Sequence, residues 1–83
     1  MIILEKDNHI FYFIISSDSP KNAMCEAYEK LVRDSNSKKD FEKEIKGKIG
    51  KPIIKKFEIL SGYKILFFSI LPKIIFYNSE KQG

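Results

Sequence analysis

The sequence predicts a single α+β domain in which two helices pack on one face of a mostly antiparallel sheet of four or five strands. Three observations predict this class. The 83 residues are too few for a second hydrophobic core, so one domain spans residues 1–83. Runs rich in Ile, Phe and Tyr lie near both ends of the chain, and between them the apolar residues follow a helical period. The predicted element order is ββααβββ.

The first predicted unit is a β-hairpin. Met1–Glu5 is a short apolar strand, and Lys6–His9 is a turn whose Asp7 and Asn8 suit positive φ angles. Ile10–Ser16 follows as the second strand. Its apolar residues are continuous instead of alternating, so we expect this strand near the sheet centre with both faces covered.

The first helix is predicted to start within Ser17–Pro20, because a serine can cap free N–H groups and a proline suits the first helical position. It should run to about Arg33. Its apolar stripe, which should face the sheet, comprises Met24, Ala27, Tyr28, Leu31 and Val32.

A second, shorter helix is predicted from Ser37, which approximates a capping box with Asp40. Phe41 and Ile45 give this helix a narrow apolar edge. Gly50–Pro52 is then expected to turn the chain into the sheet.

The last third of the chain, Pro52–Asn78, is predicted to form a three-stranded meander. Its strands are Ile53–Leu60, Tyr63–Leu71 and Ile74–Asn78, and the middle one should be central because both of its faces are apolar. Ser79–Gly83 is a polar tail that we expect to fray.

Two turns separate these strands, at Ser61-Gly62 and at Leu71-Pro72-Lys73. Two registers are open at the first turn. A two-residue loop pairs Leu60 with Tyr63, whereas a three-residue loop with Gly62 at positive φ pairs Leu60 with Lys64. The second register is preferred because it aligns apolar residues on one face. Which sheet face is exposed stays open at this point.

Composition excludes several classes of function. Cys25 is the only cysteine, so no intramolecular disulfide can form and a cytoplasmic location is expected. The N-terminus lacks the basic segment of a signal peptide. The longest apolar run, Ile65–Leu71, is far shorter than the ~20 residues of a membrane helix. We therefore expect a protein that does not associate with membranes.

Few residues could carry chemistry. His9 and Cys25 are the only imidazole and thiol, and they cannot supply the three or four ligands of a zinc site. We therefore expect no metal, no cofactor and no catalytic group. The segment Gly47–Lys51 (GKIGK) has glycines beside lysines, a composition suited to anions. It is similar in residue type to the GXXG loop of KH domains, but that loop joins two helices, whereas this segment is predicted to join a helix to a strand. A glycine C-cap and a turn explain both glycines without a ligand.

The charge is unevenly distributed. Residues 1–45 contain seven basic and nine acidic residues, a net charge of −2, whereas residues 46–83 contain eight lysines and two glutamates, a net charge of +6. A basic half can bind nucleic acid or an acidic protein, or it can simply keep an apolar sheet soluble. The candidate binding residues are Lys46, Lys48, Lys51, Lys55, Lys56 and Lys64.

The segment KPIIKKFEILSGYKILFFSILPKIIFY resembles the C-terminal sheet of RelE/ParE-type toxins. The resemblance implies RNA cleavage, with phosphate stabilised by lysines and the nucleotide positioned by tyrosines. Lys64 stands where the family usually has arginine, and the N-terminal hairpin is extra. The matching positions are Tyr63, Lys64, Tyr77 and Lys81, and Lys56 would join the lysines that stabilise phosphate. The order hairpin, helix, meander is also similar to longin-type trafficking domains, whose C-terminal helices this chain lacks.

These observations favour a small non-catalytic binding protein, such as an inhibitor or adaptor encoded by a mobile element. Its lysine-rich surface would occupy a protein or nucleoprotein complex, and a homodimer is a further expectation because a two-helix layer covers only one sheet face. The alternatives are the RelE/ParE-like RNA-cleaving toxin and a simple RNA-binding module, in which rings and lysines contact single-stranded RNA.

Overall fold

The computed structural model describes residues 1–17, 19–71 and 73–78. Three helices pack on one face of a four-stranded antiparallel sheet, which confirms the predicted α+β class. The strand order across the sheet is β2-β1-β3-β4. The elements in chain order are β1 (Ile2–Lys6), β2 (His9–Phe13), α1 (Pro20–Val32), α2 (Ser35–Glu44), α3 (Lys51–Ser61), β3 (Lys64–Ile70) and β4 (Lys73–Tyr77).

The predicted N-terminal hairpin is confirmed. Asp7 and Asn8 join β1 to β2 with φ angles of 53° and 65°, as in the tight turns whose twist matches paired strands. The predicted position of the second strand is wrong, however, because β1 pairs on its other side with β3 and leaves β2 at the sheet edge. Ile10 and Tyr12 are exposed there, so the continuous apolar run is not covered on both faces.

Helix α1 matches its predicted range. The Ser19 side chain accepts a hydrogen bond from the Asn22 N–H at 3.2 Å, and Arg33 ends the helix in the left-handed region at φ 59°. Asp18, inside the predicted start, lies outside the described residues. The predicted stripe is buried or half-buried except at Val32, which is 44% exposed because it lies at the end of the helix.

Helix α2 begins earlier than predicted. Its cap is Asp34, whose carboxylate accepts a hydrogen bond from the Asn36 N–H at 3.0 Å. Ser37 is therefore a buried residue inside the helix and not its cap. The apolar edge is confirmed, because Phe41 and Ile45 are both fully buried.

The predicted strand Ile53–Leu60 is wrong, because this segment lies within helix α3. Ile53, Ile54 and Phe57 are buried, a spacing that puts them on one side of a helix. Ile59, which would share a face with Phe57 in a strand, is 74% exposed. The segment needs only one apolar side because, as a helix, it packs on one face of the sheet and exposes its other side to solvent.

Glycines define both ends of α3. Gly50 is the residue before the helix, so Gly50–Pro52 starts a helix and does not turn into the sheet. Gly62 has positive φ, as predicted, but at 77° it caps the helix and its N–H donates to the carbonyl of Glu58. Neither predicted hairpin register at Ser61-Gly62 therefore applies.

Strand β3 is central, as predicted, since it pairs with β1 and β4. The β3–β4 hairpin is also confirmed, with a register shift between Phe68 and Ser69. Pro72 of the predicted turn and the predicted tail, residues 79–83, lie outside the described residues.

The core lies between the sheet and the helices. Across the sheet, cross-strand partners line up on the helix-facing side, and this row comprises Phe13, Ile2, Phe68 and Phe76. The helices contribute an aromatic cluster in which Tyr28 stacks on Phe41 at 4.7 Å and Phe57 meets both rings edge-on. This layer covers one face of the sheet only.

Candidate binding surfaces

The sheet face opposite the helices carries a row of apolar side chains across all four strands. Ile3 is the cross-strand partner of both Tyr12 and Phe67, and Phe67 is in turn the partner of Tyr77. Directly opposed residues share a face, so the row Tyr12–Ile3–Phe67–Tyr77 runs parallel to the buried row one residue away. The rings of Phe67 and Tyr77 meet edge-on at 6.3 Å.

Further aliphatic residues extend this row on both sides. Ile10 and Ile14 alternate with Tyr12 along the edge strand and the residues after it, and Ile74 pairs with Ser69 on the far side. Ile10, Tyr12, Ile14 and Ile74 are each more than half exposed, at 58%, 66%, 73% and 65%. We call the surface formed by Ile3, Ile10, Tyr12, Ile14, Phe67, Ile74 and Tyr77 the open sheet face.

The open sheet face is nearly neutral. Its charged residues among the described positions are Glu5 and Lys64, which are cross-strand partners of opposite charge. The N-terminal hairpin does not cover this face, because β1 and β2 are strands of the sheet itself. A contiguous exposed apolar surface usually marks a docking site.

A second surface is a groove between α3 and β4. Its floor is formed by Ile54, Ile75 and Phe76, and the groove has two adjoining sections of about 430 and 320 Å³. Its rim carries three of the six lysines predicted to bind a partner, Lys51, Lys55 and Lys64. We call it the α3–β4 groove.

The other three predicted lysines lie elsewhere. Lys56 makes an ion pair with Glu44 of α2 at 3.3 Å. Lys46 lines a separate groove between α1 and α2, beside Lys39 and Lys43. Lys48 belongs to the loop between α2 and α3, where its N–H donates to the carbonyl of Ile45. The predicted lysine surface is thus divided among several sides of the protein.

The GKIGK segment is a connection between two helices. Gly47 and Gly50 have φ angles of 78° and 75°, which side-chain-bearing residues rarely adopt. Both glycines are therefore explained by the helix end and the helix start that they join.

The residues implied by the toxin resemblance do not form one cluster among the described positions. Lys56 is on α3, and Tyr63 follows that helix, where its ring meets Phe11 and the ammonium group of Lys6. Lys64 and Tyr77 lie on the open sheet face. Lys81 lies outside the described residues. The toxin hypothesis stays a prediction.

Cys25 is a buried residue of α1. Desolvation raises the pKa of its thiol above the ordinary value of 9.0, and the nearby Glu42 carboxylate adds to this effect against opposing contributions from Lys38 and Lys21. A raised pKa keeps the thiol protonated and unreactive at neutral pH. No group of three or more His, Cys, Asp and Glu residues in the described ranges could hold a metal ion.

Alkylation of Cys25 by iodoacetamide is expected to be at least about tenfold slower in the native protein than in urea at pH 8, since only unfolding exposes the thiolate. Because the folded pKa is raised, the thiol contributes no pH dependence to stability below ~8.5. The free energy of unfolding should then fall as the pH rises, because the unfolded chain loses the proton first. Mass spectrometry measures the rate of alkylation, and urea titrations at several pH values measure the free energy of unfolding. Equal alkylation rates would contradict the buried position.

No helix in the described part of the chain combines the length and hydrophobicity needed to cross a membrane. No protein-family model matches this chain, and searches of curated proteins and of solved structures find no similar protein.

Proposed function

We propose that this chain is a non-catalytic binding protein whose open sheet face docks on an apolar surface of a partner protein. One observation carries the proposal. Seven apolar side chains lie together on a sheet face that the helices leave uncovered. In a domain of this size, exposing so much apolar surface is costly unless a partner removes it from water.

A protein partner fits this surface better than RNA does. Binding to nucleic acid depends on several positive charges near the phosphates, whereas the open sheet face combines Lys64 with Glu5 and is close to neutral. Large rings such as Tyr12 and Tyr77 are the residue type that often supplies most of the binding energy at protein interfaces.

The proposal can be tested by capturing partners from a lysate of the native host with and without nuclease. The face variant replaces Tyr12 and Ile74 with serine. The control variant replaces Ile49 and Ile59 with serine, because these residues are more exposed than Tyr12 and Ile74, at 87% and 74%, but lie in the α2–α3 loop and on α3. Thermal unfolding verifies that both variants are folded.

The expected result is one protein captured equally by the wild type and the control, at least about tenfold less by the face variant, and unaffected by nuclease. Capture that survives in the face variant, or that disappears with nuclease, would refute the proposal. Sedimentation of the wild type provides a further check. A dimer that the face variant dissociates would make a second copy of the chain the occupant and would also refute a separate partner.

A further inference from the structure

The outer edge of β4 is a second surface that can bind a partner. β4 pairs with β3, and in the part of the chain that the structure describes no strand pairs with its other edge. An edge strand presents alternate backbone N–H and C=O groups that another extended segment can pair with. Helix α3 flanks the outer edge of β4, so a groove runs between the helix and this strand.

The α3–β4 groove is continuous along this edge. Its two sections share Lys51, Ile54, Phe76 and Asn78, so they form one channel bounded by the helix on one side and the strand on the other. An edge strand flanked by a helix is the arrangement in which domains bind extended peptides by strand addition. Main-chain hydrogen bonds provide affinity there, and contacts to alternate side chains provide specificity.

The charges of the groove select the side chains of the ligand. Lys51 and Lys55 are both exposed and lie one turn apart on α3, at the rim of the groove. The acidic residue of this rim, Glu58, already uses its Oε2 to accept a hydrogen bond from the Ile65 N–H at 2.8 Å. Two ammonium groups against one carboxylate that already accepts a hydrogen bond favour an acidic ligand.

We propose that the α3–β4 groove binds an extended acidic peptide, which adds to β4 as a fifth strand. Residues of a strand alternate between two faces. Acidic side chains on one face of the peptide contact Lys51 and Lys55, while apolar side chains on the other face continue the open sheet face beyond β4. The ligand is thus a segment in which acidic and apolar residues alternate.

This ligand fits better than a second copy of the chain. A second copy pairing through its own β4 would bring its own Lys51 and Lys55 to the same seam, in addition to the exposed Lys73 at the start of each β4. Like charges brought together at an interface oppose association. The lysines of this groove therefore disfavour self-pairing and attract an acidic strand.

The test uses a short fluorescein-labelled peptide of alternating Glu and Val, titrated with the full chain and followed by fluorescence anisotropy. The charge variant is K51E/K55E. Glutamate is favourable at Lys51 in the first turn of α3, and Lys55 is an exposed position, so this change should not unfold the helix. The matched control, K39E/K43E, makes the same change of charge at the same spacing on α2, on the rim of the other lysine-lined groove.

Strand addition gives two expected results. K51E/K55E should weaken binding by about tenfold or more, whereas K39E/K43E should change it by less than about twofold. In a strand, the N–H groups of alternate residues point to opposite edges. N-methylation of either all Glu or all Val residues should therefore abolish binding, and N-methylation of the other set should be tolerated.

Other outcomes would overturn the inference. The first is that the unmethylated peptide does not bind at millimolar concentration. The second is that both charge variants lose affinity for the peptide equally, which would indicate non-specific attraction to lysines. Equal effects of the two methylation patterns would exclude strand addition. None of these results bears on the lysate experiment with the open sheet face, because the two tests use different residues.

Discussion

Replacing Phe57 with alanine is expected to lower the free energy of unfolding by about 3–5 kcal/mol. The side chain is fully buried and meets the rings of Phe41 and Tyr28 at 5.9 Å, so truncation leaves a cavity where α1, α2 and α3 come together. A domain of this length has a total stability of about 4–12 kcal/mol, so the variant should be close to unfolding at 37 °C. Denaturation in urea followed by circular dichroism measures the loss.

Ile59→Ala is the matched control on the same helix. Ile59 is largely exposed, so its truncation should change the free energy of unfolding by no more than about 0.5 kcal/mol. The comparison also tests the secondary structure of this segment. Phe57 and Ile59 would share a face in a strand, and equal losses in the two variants would contradict the helix.

The second prediction with a large effect compares two adjacent phenylalanines of β3. Phe68 faces the helices and is 1% exposed, whereas Phe67 lies on the open sheet face. Phe68→Ala should cost about 3–5 kcal/mol, and Phe67→Ala should cost at least about 2 kcal/mol less because its ring is packed on one side only. Urea denaturation of both variants provides the comparison.

Phe67→Ala has a second expected effect. Since the ring belongs to the row that we propose docks on a partner, its removal should weaken partner capture in the lysate experiment, while the protein stays folded. A stability loss as large as that of Phe68→Ala would mean that the open sheet face is covered, and it would contradict the proposed function.

Turn residues and helix-capping residues correctly predicted the elements whose boundaries depend on residues nearby in the sequence. Asp7 and Asn8 define the hairpin, and Ser19 with Pro20 defines the start of α1, because caps and turns are settled within a few positions. Helix α3 was missed although its signals were present. Pro52 suits a helix start and Gly62 a helix end, but the isoleucines of this segment favour strands, and packing decided between the two.

The position of β2 could not be predicted for a different reason. Its continuous run of apolar residues is typical of a central strand, and only the pairing of β1 with β3 places it at the edge. That pairing joins residues from opposite ends of the chain. An uncovered sheet face was expected, but its residues could not be named for the same reason, because Tyr12, Phe67 and Tyr77 form a row only after all four strands have been aligned.

The binding lysines were predicted from the net charge of the C-terminal half alone. Net charge does not indicate on which side of the protein each lysine lies. The sequence places Lys51, Lys55 and Lys56 close together, yet the helix turns Lys56 toward Glu44 and leaves the other two at the α3–β4 groove. Their separation follows from the helical period of α3, which the strand prediction for this segment concealed.

The place of β1 between β2 and β3 also has a consequence for the order of folding. Met1 and Ser69, which hydrogen-bond at the end of this pairing, lie 68 positions apart. Strands so far apart in the chain pair slowly, because the long loop between them must lose conformational entropy before the contacts between the strands can form. During synthesis the β1–β2 hairpin precedes β3, so the edge of β1 that pairs with β3 stays without its partner until β3 has left the ribosome. In that interval this edge is exposed to chaperones and to other chains.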